Sequence, residues 1–503
     1  MKFVFKLLIA SISGIALSFA LAPYNLWFLI FPCFGVFYYI YQTLEIKKQV
    51  FVLSFLFALG YFIAGLYWIG NALLVEGNEY KWAWPFAVIV LPSLLALFPA
   101  LYLTINHLLF KNNTLSKFIG FCTLLAFSEW VRGHAFTGFP WNLYGYGAAS
   151  NSNISQSLSL IGAYGLTLLT VFWGGSLGYL FVQNKSKYFI FALSVLTFTG
   201  LYAYGHQRLE NANIQYNEDY QIHVVQPNIE QSEKWQNDKL SHNFEQLISA
   251  NIHPLAEDKK HIVIWPETAI PPILLNSPAV HQRINNMLGD KAILLSGALT
   301  MQAGSQSNDL EYNNALLLWN QLNQGKQIYA KSHLVPFGEY IPFQKYIPLE
   351  TVTQFSGFQR GKGSQTTALK GFPSFSPLIC YEIIFPHKVI NKGAPRPDYI
   401  LTVTNDGWYG DSTGPYQHLA QARFRAIEHG IPVIRSANTG VSAVVDPYGN
   451  VLGQVSLLKK GRIASKLPKL ITKSPVYSRY GELFYFMLSG FLLLLATAIF
   501  KKN

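Results

Sequence analysis

Eight apolar runs, seven of them crowded into the first 205 residues, constrain this chain more than any other feature. They cover residues 5–22 (FKLLIASISGIALSFALA), 25–43, 50–74, 84–109, 117–133, 159–183, 188–205 and 484–500 (LFYFMLSGFLLLLATAIF). A helix needs about 20 mostly apolar residues to cross a bilayer core, where no water can satisfy its backbone amides. Any one run could be a buried core helix. Seven in succession, joined by short Lys-bearing connections, argue for a polytopic membrane domain. The run at 117–133 is short and is interrupted by Glu129. The first run, with Lys2 and Lys6 before an apolar centre and small residues at SFALA, also fits a signal peptide, but the spans that follow at once favour an uncleaved helix. The expected organisation is seven transmembrane helices in 1–205, a polar domain in 206–482, and an eighth helix with a short tail in 483–503.

The net charge of +12 invites a nucleic-acid reading, which the distribution of charge removes. Residues 206–482 carry 26 Lys and Arg against 22 Asp and Glu, a balance of +4, so +8 belongs to the apolar part. There the lysines sit at alternate ends of the runs: Lys2 and Lys6, Lys47 and Lys48, Lys111 and Lys117, Lys185 and Lys187, Lys501 and Lys502. The opposite connections hold only Lys81 and Arg132. This is the positive-inside pattern, and it predicts cytoplasmic termini with residues 206–482 outside the cytosol, in a bacterium the periplasm.

Within 206–482 the apolar runs are short and β-branched: 220–227, 261–267, 292–300, 314–320, 327–336, 375–382, 398–406 and 440–455, the last broken by the turn Asp446-Pro447-Tyr448-Gly449-Asn450. Helical spacing is clearest at 239–251 and 414–430. Strands alternating with helices predict a layered α/β domain.

Of three cysteines, Cys33 and Cys122 lie in apolar runs, and Cys380 stands alone in the polar part. Outside the cytosol cysteines usually pair, so an unpaired one is either a small buried hydrophobe or a reactive thiol. Three motifs weigh on the choice. In IVIWPET a strand ends just before Glu267, well placed for proton transfer, although a loop Glu is most often merely exposed. In YAKSHLVPFGEYIP, Lys331 precedes Glu339 by eight residues; this is either an oxyanion-stabilising cation with a partner or a solvated pair. In SPLICYEIIFP a strand delivers Cys380 to a turn, with Tyr381 and Glu382 beyond it, which is the mechanical logic of a strand-to-turn nucleophile.

WPE, then KSHLVPFGE, then CYE, in that order, resembles the nitrilase (carbon–nitrogen hydrolase) superfamily with its Glu-Lys-Cys triad. Combined with the membrane plan and with GFPWNLYGYG (138–147), NDGWYGDSTGPYQH (405–418) and RAIEHGIPVIRSANTG (425–440), the chain resembles the apolipoprotein N-acyltransferase family over nearly its whole length. The resemblance implies an αββα sandwich for the polar domain. It implies Glu267 as general base, Lys331 as triad lysine and Cys380 as nucleophile, supported by Glu339, Tyr381 and Glu382. Trp235 (in EKWQ) and Trp408 (in DGWYG) match aromatic positions at the substrate entrance. It further implies a bacterial inner-membrane enzyme with a phospholipid acyl donor and a diacylglyceryl apolipoprotein acceptor. A monomer is expected; the charge distribution gives no support for nucleic acid, and no His and Cys cluster has metal-ligand spacing, so no metal or cofactor is expected.

The residue types suit that chemistry. A thiol is a poor nucleophile until deprotonated, and a buried carboxylate can serve as its base. Acyl transfer from ester to amine through a Cys380 thioester would be ping-pong catalysis, with Lys331 and the Tyr381 N–H facing the oxyanion. Two apolar stretches, 269–280 and 340–358, are either lids that shelter the thioester at the lipid surface or core packing; Phe343, Tyr346, Ile347 and Leu349 are the candidate lipid contacts. Trp141 is expected at the outer membrane interface. Glu129 and Arg132, one helical turn apart, are either a local ion pair or a functional group at membrane depth. The rival readings are a membrane-tethered amidase with water as acceptor, and a transporter with an inert outer domain.

Overall fold

The structure is a computed structural model that describes residues 2–76, 78–251, 258–303, 310–342 and 358–502. Its first part is helical: α1 (Phe3–Ser18), α2 (Ile30–Gln42), α3 (Lys47–Leu66), α4 (Trp84–Phe110), α5 (Thr114–His134), the short α6 (Tyr144–Ala149) and α7 (Ser152–Ser155), α8 (Leu158–Tyr179) and α9 (Lys187–Glu210). α8 lies at the centre with nearly every side chain buried. It meets α2 through small residues: a Cβ on Gly178 would lie 2.2 Å from the Gly35 carbonyl oxygen, so only glycine lets the two backbones close to that distance. α9 instead turns Leu196, Phe189 and other apolar side chains outward. A helix that is apolar on its outward face needs a non-aqueous surrounding.

The strands form two six-stranded sheets among the described residues. The first contains β1 (Tyr216–Gln226), β2 (Lys260–Ile270), β3 (Ala292–Ala303), β4 (Leu310–Asn320) and β5 (Asn323–Ala330). The second contains β6 (Thr367–Leu369), β7 (Phe372–Ile379), β8 (Tyr399–Thr404), β9 (Val433–Ala437), β10 (Ser442–Val445) and β11 (Val451–Val455). The last strand, β12 (Gly461–Pro468), returns to the first sheet beside β1, giving the order β12-β1-β2-β3-β4-β5 against β11-β10-β9-β8-β7-β6. In each sheet the three central strands run parallel (β1, β2, β3; β7, β8, β9). Parallel strands are covered on both faces, which is why HIVIW and DYILTV read as continuous apolar runs rather than alternating ones. The inner faces meet through Ile222, Ile262, Ile264 and Leu295 against Ile379, Leu401, Val403 and Ile434.

The helices of this part are α10 (Leu240–Ser249), α11 (Pro272–Leu275), α12 (Pro278–Leu288), α13 (Gly414–His429) and α14 (Val476–Tyr480), and the chain closes with α15 (Leu483–Lys502). α10 and α12 cover the outer face of the first sheet, on Val225, Val263 and Trp265. α13 covers the second, and its other side presses on the membrane-type helices, so one apolar cluster runs from α2 and α8 through Leu419, Ala422 and Ala426 to Ile400 and Val433. Polar side chains of α13 key into those helices: Glu428 accepts from the Ala163 N–H at 3.0 Å, and Gln417 donates to the Gly65 carbonyl at 3.2 Å.

Several expectations change. Among the described residues five helices are long and apolar enough to cross a membrane: Lys47–Leu74, Lys81–Phe110, Leu158–Tyr179, Lys187–Glu210 and Leu483–Lys502. Phe3–Ser18 and Trp27–Gln42 are apolar but shorter, and α5, at 21 residues, carries Lys117, Glu129 and Arg132 in its buried face. The strand expected over 327–336 ends at Ala330, with the Lys331 N–H still donating to the Asn314 carbonyl (2.8 Å). β6, β9, β12 and α12 had no clear sequence signal. The large apolar residues of 269–280 mostly pack: Ile270 and Val280 are buried, Leu274 and Leu275 rest on the outer core, and of these large side chains Ile273 alone is strongly exposed. The second candidate lid, with Phe343, Tyr346, Ile347 and Leu349, falls largely outside the described residues.

Candidate active site

Cys380 follows the last residue of β7 and opens a 3-10 turn, Cys380–Ile384. Its φ of 51° is left-handed, a conformation a non-glycine residue holds only when its surroundings force it. Glu382 supplies that force. Its buried carboxylate accepts hydrogen bonds from the N–H groups of Ile379 (2.8 Å), Ser332 (2.8 Å) and His333 (3.0 Å) and from the hydroxyls of Tyr329 (2.7 Å) and Ser332 (2.6 Å). One side chain thus clamps the turn after β7 to the turn after β5, and so places Cys380 beside Lys331. On the far side the Tyr381 hydroxyl donates to the Gly138 carbonyl (3.1 Å), tying the same turn to the helical part.

Glu267 reaches the site through an irregularity in β2. The β2–β3 register shifts between Trp265 and Ile270, and Thr268 takes φ 47°. Gly297 on β3 permits this, since a Cβ there would sit 2.4 Å from the Pro266 oxygen. Glu267 is buried, with Oε1 accepting from Asn314 Nδ2 (2.7 Å) and Oε2 from the Asn405 N–H (2.8 Å). Lys331 Nζ lies 3.6 Å from Glu267 Oε1 and 2.9 Å from Glu339 Oε1. Glu339 also accepts from Asn314 (3.1 Å) and from the Val335 N–H (2.9 Å).

The electrostatics follow from burial. Burial, then the Glu267 carboxylate, push the Cys380 thiol up to about 12, while Lys331 pulls it the other way. The resting group is therefore a thiol, and attack requires a base at the moment of bond formation. Burial alone would discharge Lys331, but Glu339 and Glu267 more than offset it and hold its pKa above the ordinary lysine value. The sequence-predicted triad thus converges on one buried point, with Glu339, Tyr381 and Glu382 around it. Trp235 and Trp408 are half-buried on neighbouring loops, joined where Asn405 Nδ2 donates to Gln231 (2.6 Å). Trp141 is fully buried, because the loop after α5 folds back under α13. Its Nε1 donates to Gln417 (2.9 Å), and its ring lies against Trp68, Tyr409 and His418. Glu129 and Arg132 form a buried two-pronged pair (2.9 and 2.7 Å), and Arg132 also donates to the Trp141 carbonyl (3.0 Å), steadying the loop that receives Tyr381.

Sequence reasoning missed Asn314, Lys234 and a buried polar chain. Lys234 Nζ donates to the Glu267 carbonyl (3.0 Å) and Thr268 (2.6 Å); burial brings its pKa down to about 8 against the pull of Glu267 and Cys380. The chain runs from Arg435 through Asp406 (2.6 Å) to His418 Nδ1 (2.9 Å), with His418 Nε2 3.2 Å from the Cys380 carbonyl. Burial would raise the Asp406 pKa, but Arg435, then His418 and Thr404, hold it down to about 2. Its folded pKa is depressed, so its stabilisation is full above the unfolded carboxyl value and is lost as pH falls from about 4 to 2, worth about 2 kcal/mol. Acid unfolding of the solubilised protein should steepen across that window, and Asp406→Asn should flatten it; identical acid limbs would exclude Asp406 as the titrating group.

Among the described residues one cluster offers metal-ligand atoms within 4.8 Å of one another: His134, His387 and Glu482. These lie far apart in sequence. Burial, then His134 and Lys388, push the His387 pKa down to about 3, and burial raises Glu482, with Lys392 and Arg425 nearby, so the surroundings disfavour a divalent cation.

Two family models match the chain in succession: the apolipoprotein N-acyltransferase N-terminal domain over residues 13–176 and carbon-nitrogen hydrolase over residues 221–472. The apolipoprotein N-acyltransferase of Brucella melitensis biotype 1 is 37% identical over 431 residues, covering 84% of this chain and 80% of that protein. The chain belongs to the apolipoprotein N-acyltransferase family. The family member from Rhodopseudomonas palustris is 32% identical and spans 95% of this chain and 92% of its own length, and that from Rickettsia bellii is 35% identical over 90% and 89%. Family membership therefore extends over the helical part, both sheets and the turn that carries Cys380. The carbon-nitrogen hydrolase match covers the sandwich, so the nitrilase-like fold is the family's own.

Proposed function

We propose that this chain is a membrane-embedded acyltransferase. It would move an acyl chain from a phospholipid, through a thioester on Cys380, to the α-amino group of the N-terminal diacylglyceryl-cysteine of apolipoproteins. The observation that carries this reading is the convergence of Glu267, Lys331 and Cys380 in a buried site that is built onto apolar helices rather than free in solution.

In the first step Cys380 Sγ attacks the ester carbonyl while Glu267 takes the thiol proton. Lys331, with the Tyr381 N–H, faces the oxyanion. The C–S bond forms, the C–O bond breaks, and the proton on Glu267 passes to the departing lysophospholipid oxygen. In the second step the acceptor amine attacks the thioester carbonyl. Glu267 accepts the amine proton and returns it to the leaving sulfur, so the enzyme ends as it began. Asn314 and the Asn405 N–H hold the two Glu267 oxygens while leaving lone pairs for the travelling proton. No metal or cofactor enters these steps.

The same reading includes eight membrane crossings, with the three helices that fall short by length or polarity spanning beside the five. It divides the chain at 1–205, 206–482 and 483–503, puts both termini in the cytoplasm and the triad in the periplasm, and takes the working unit as a monomer. The alternation of lysine pairs supports the orientation. The test uses detergent-solubilised protein preloaded with phospholipid. A diacylated lipopeptide with a free amine should remove the acyl mass from the enzyme at least tenfold faster than buffer alone and appear as triacylated peptide. Equal loss in buffer and with amine would make the enzyme a hydrolase instead.

A further inference from the structure

A cavity of about 230 Å3 lies where the end of α5 meets the turn after β5, lined by His134, Phe136, Thr137, Ser332, His333, Leu334, Arg360 and Lys388. Its charge is one-sided. Among the described residues neither Arg360 nor Lys388 has a carboxylate within ion-pairing distance. Arg360 lies over the Tyr340 ring (5.0 Å), and Lys388 donates to His333 Nδ1 (2.9 Å). Burial, then Lys388 and Arg360, push the His333 pKa down to about 3, so this imidazole is neutral and does not neutralise the cations' field. Of the acids nearby, Glu382 is already engaged by its five donors, and Glu482, 3.9 Å from His134 Nε2 of the lining, accepts from Trp130 Nε1 (2.6 Å). Two carbonyls at the end of α5 are occupied, Val131 by the Ala135 N–H (2.7 Å) and Arg132 by the Phe139 N–H (3.0 Å).

The rim is of opposite character. Phe136 is 95% exposed and left-handed (φ 61°), an aromatic ring held out from the end of a membrane-type helix at a cost in backbone strain. An apolar rim over a cationic floor matches the boundary between a phospholipid's tails and its phosphate. The cavity also borders the site. Ser332 and His333 donate to the Glu382 clamp, and the His333 ring packs 4.0 Å from Phe385 and 5.7 Å from Tyr381, both on the segment after Cys380. In a glycerophospholipid only a few bonds separate the phosphate from the ester carbonyls.

We propose that this cavity binds a phosphate group, that of the acyl-donor lipid, through Arg360 and Lys388, with Phe136 against the lipid's apolar part. This deepens the acyltransferase reading and rests on it. The test compares wild type with the Arg360→Gln/Lys388→Gln double variant, full-length in detergent, by the rate of Cys380 acylation. A short-chain phosphatidylglycerol is one donor and a small phosphate-free thioester the other. The phospholipid concentration at half-saturation should rise about tenfold for each cation removed, with the limiting rate little changed. Acylation by the thioester should be unaffected, and Arg360→Lys/Lys388→Arg should restore the phospholipid response. Unchanged phospholipid half-saturation, or equal loss with both donors, would overturn the proposal. Inorganic phosphate separates the sources: if it raises the wild-type melting temperature while the double variant's phospholipid titration stays unmoved, the cavity holds free anion and the lipid assignment falls. If wild type forms no adduct with phospholipid at all, the acyltransferase reading has failed. The cavity is then judged by phosphate-induced stabilisation alone, which the double variant should lack; no stabilisation of wild type would overturn it as well.

Discussion

Cys380→Ala will leave a folded protein that takes up no acyl chain. Incubated with phospholipid alone, the wild type should gain one acyl mass, released by neutral hydroxylamine as a thioester is, while the variant gains none. Turnover should fall by roughly four orders of magnitude or more, because removing the nucleophile of a covalent mechanism leaves only binding and oxyanion stabilisation. The fold should survive. The left-handed turn at residue 380 is held by the Glu382 clamp rather than by the thiol, and alanine meets the same backbone cost that cysteine already bears. Cys33 and Cys122 are buried within α2 and α5 and are poor substitutes. A persisting adduct on Cys380→Ala would move the nucleophile elsewhere and remove the mechanism proposed above.

The largest effect on stability is expected from Glu382→Gln. The carboxylate serves three backbone N–H groups and two hydroxyls, and an amide must point its own N–H groups at some of them. Leaving buried donors unpaired, with a charge-assisted network broken, costs about 3–5 kcal/mol. For a domain of this size that lowers the unfolding midpoint by roughly 10 °C. Tyr329→Phe removes a single donor and should cost about 1 kcal/mol. Thermal unfolding of the three proteins side by side checks the order. If Glu382→Gln melts like wild type but loses acyl transfer, Glu382 acts in the chemistry and not as the clamp. If the two variants melt alike, the network is not cooperative.

Much of this was legible in the chain because the signals are local. IVIWPE announces a covered strand that carries a carboxylate, and SPLICYE a strand that delivers a thiol; both are visible in a short window because a parallel strand needs apolar residues on both faces. Lys331 and Glu339 were legible as a pair. Their partner Asn314 was not, since an asparagine in the middle of LEYNNALLLWN carries no sign that β4 will hold it between two carboxylates. Lys234 stood beside a tryptophan that was singled out and was itself passed over, because nothing local says that a loop lysine will be buried against Glu267. The burial of Trp141 was illegible for a related reason. Tryptophan favours membrane interfaces on average, but here the loop after α5 is covered by α13, which lies some 275 residues away in the chain.

The sequence by itself determined that the chain carries apolar helices long enough to cross a membrane and a layered α/β domain, and its motif order carried the resemblance that brought Glu267, Lys331 and Cys380 forward as candidates. Apolar run length, β-branched patterning and motif order act over stretches of ten to twenty residues, and hydrophobic burial enforces them whatever the rest of the chain does. Tertiary structure alone decided that Glu382 clamps two turns together, that Asp406, His418 and Arg435 line up behind Cys380, and that Arg360 and Lys388 share a cavity with the end of α5. Each of those depends on polar groups from separate segments meeting in low dielectric. Their interactions become strong only once the apolar core has excluded water, so no single stretch of sequence could announce them.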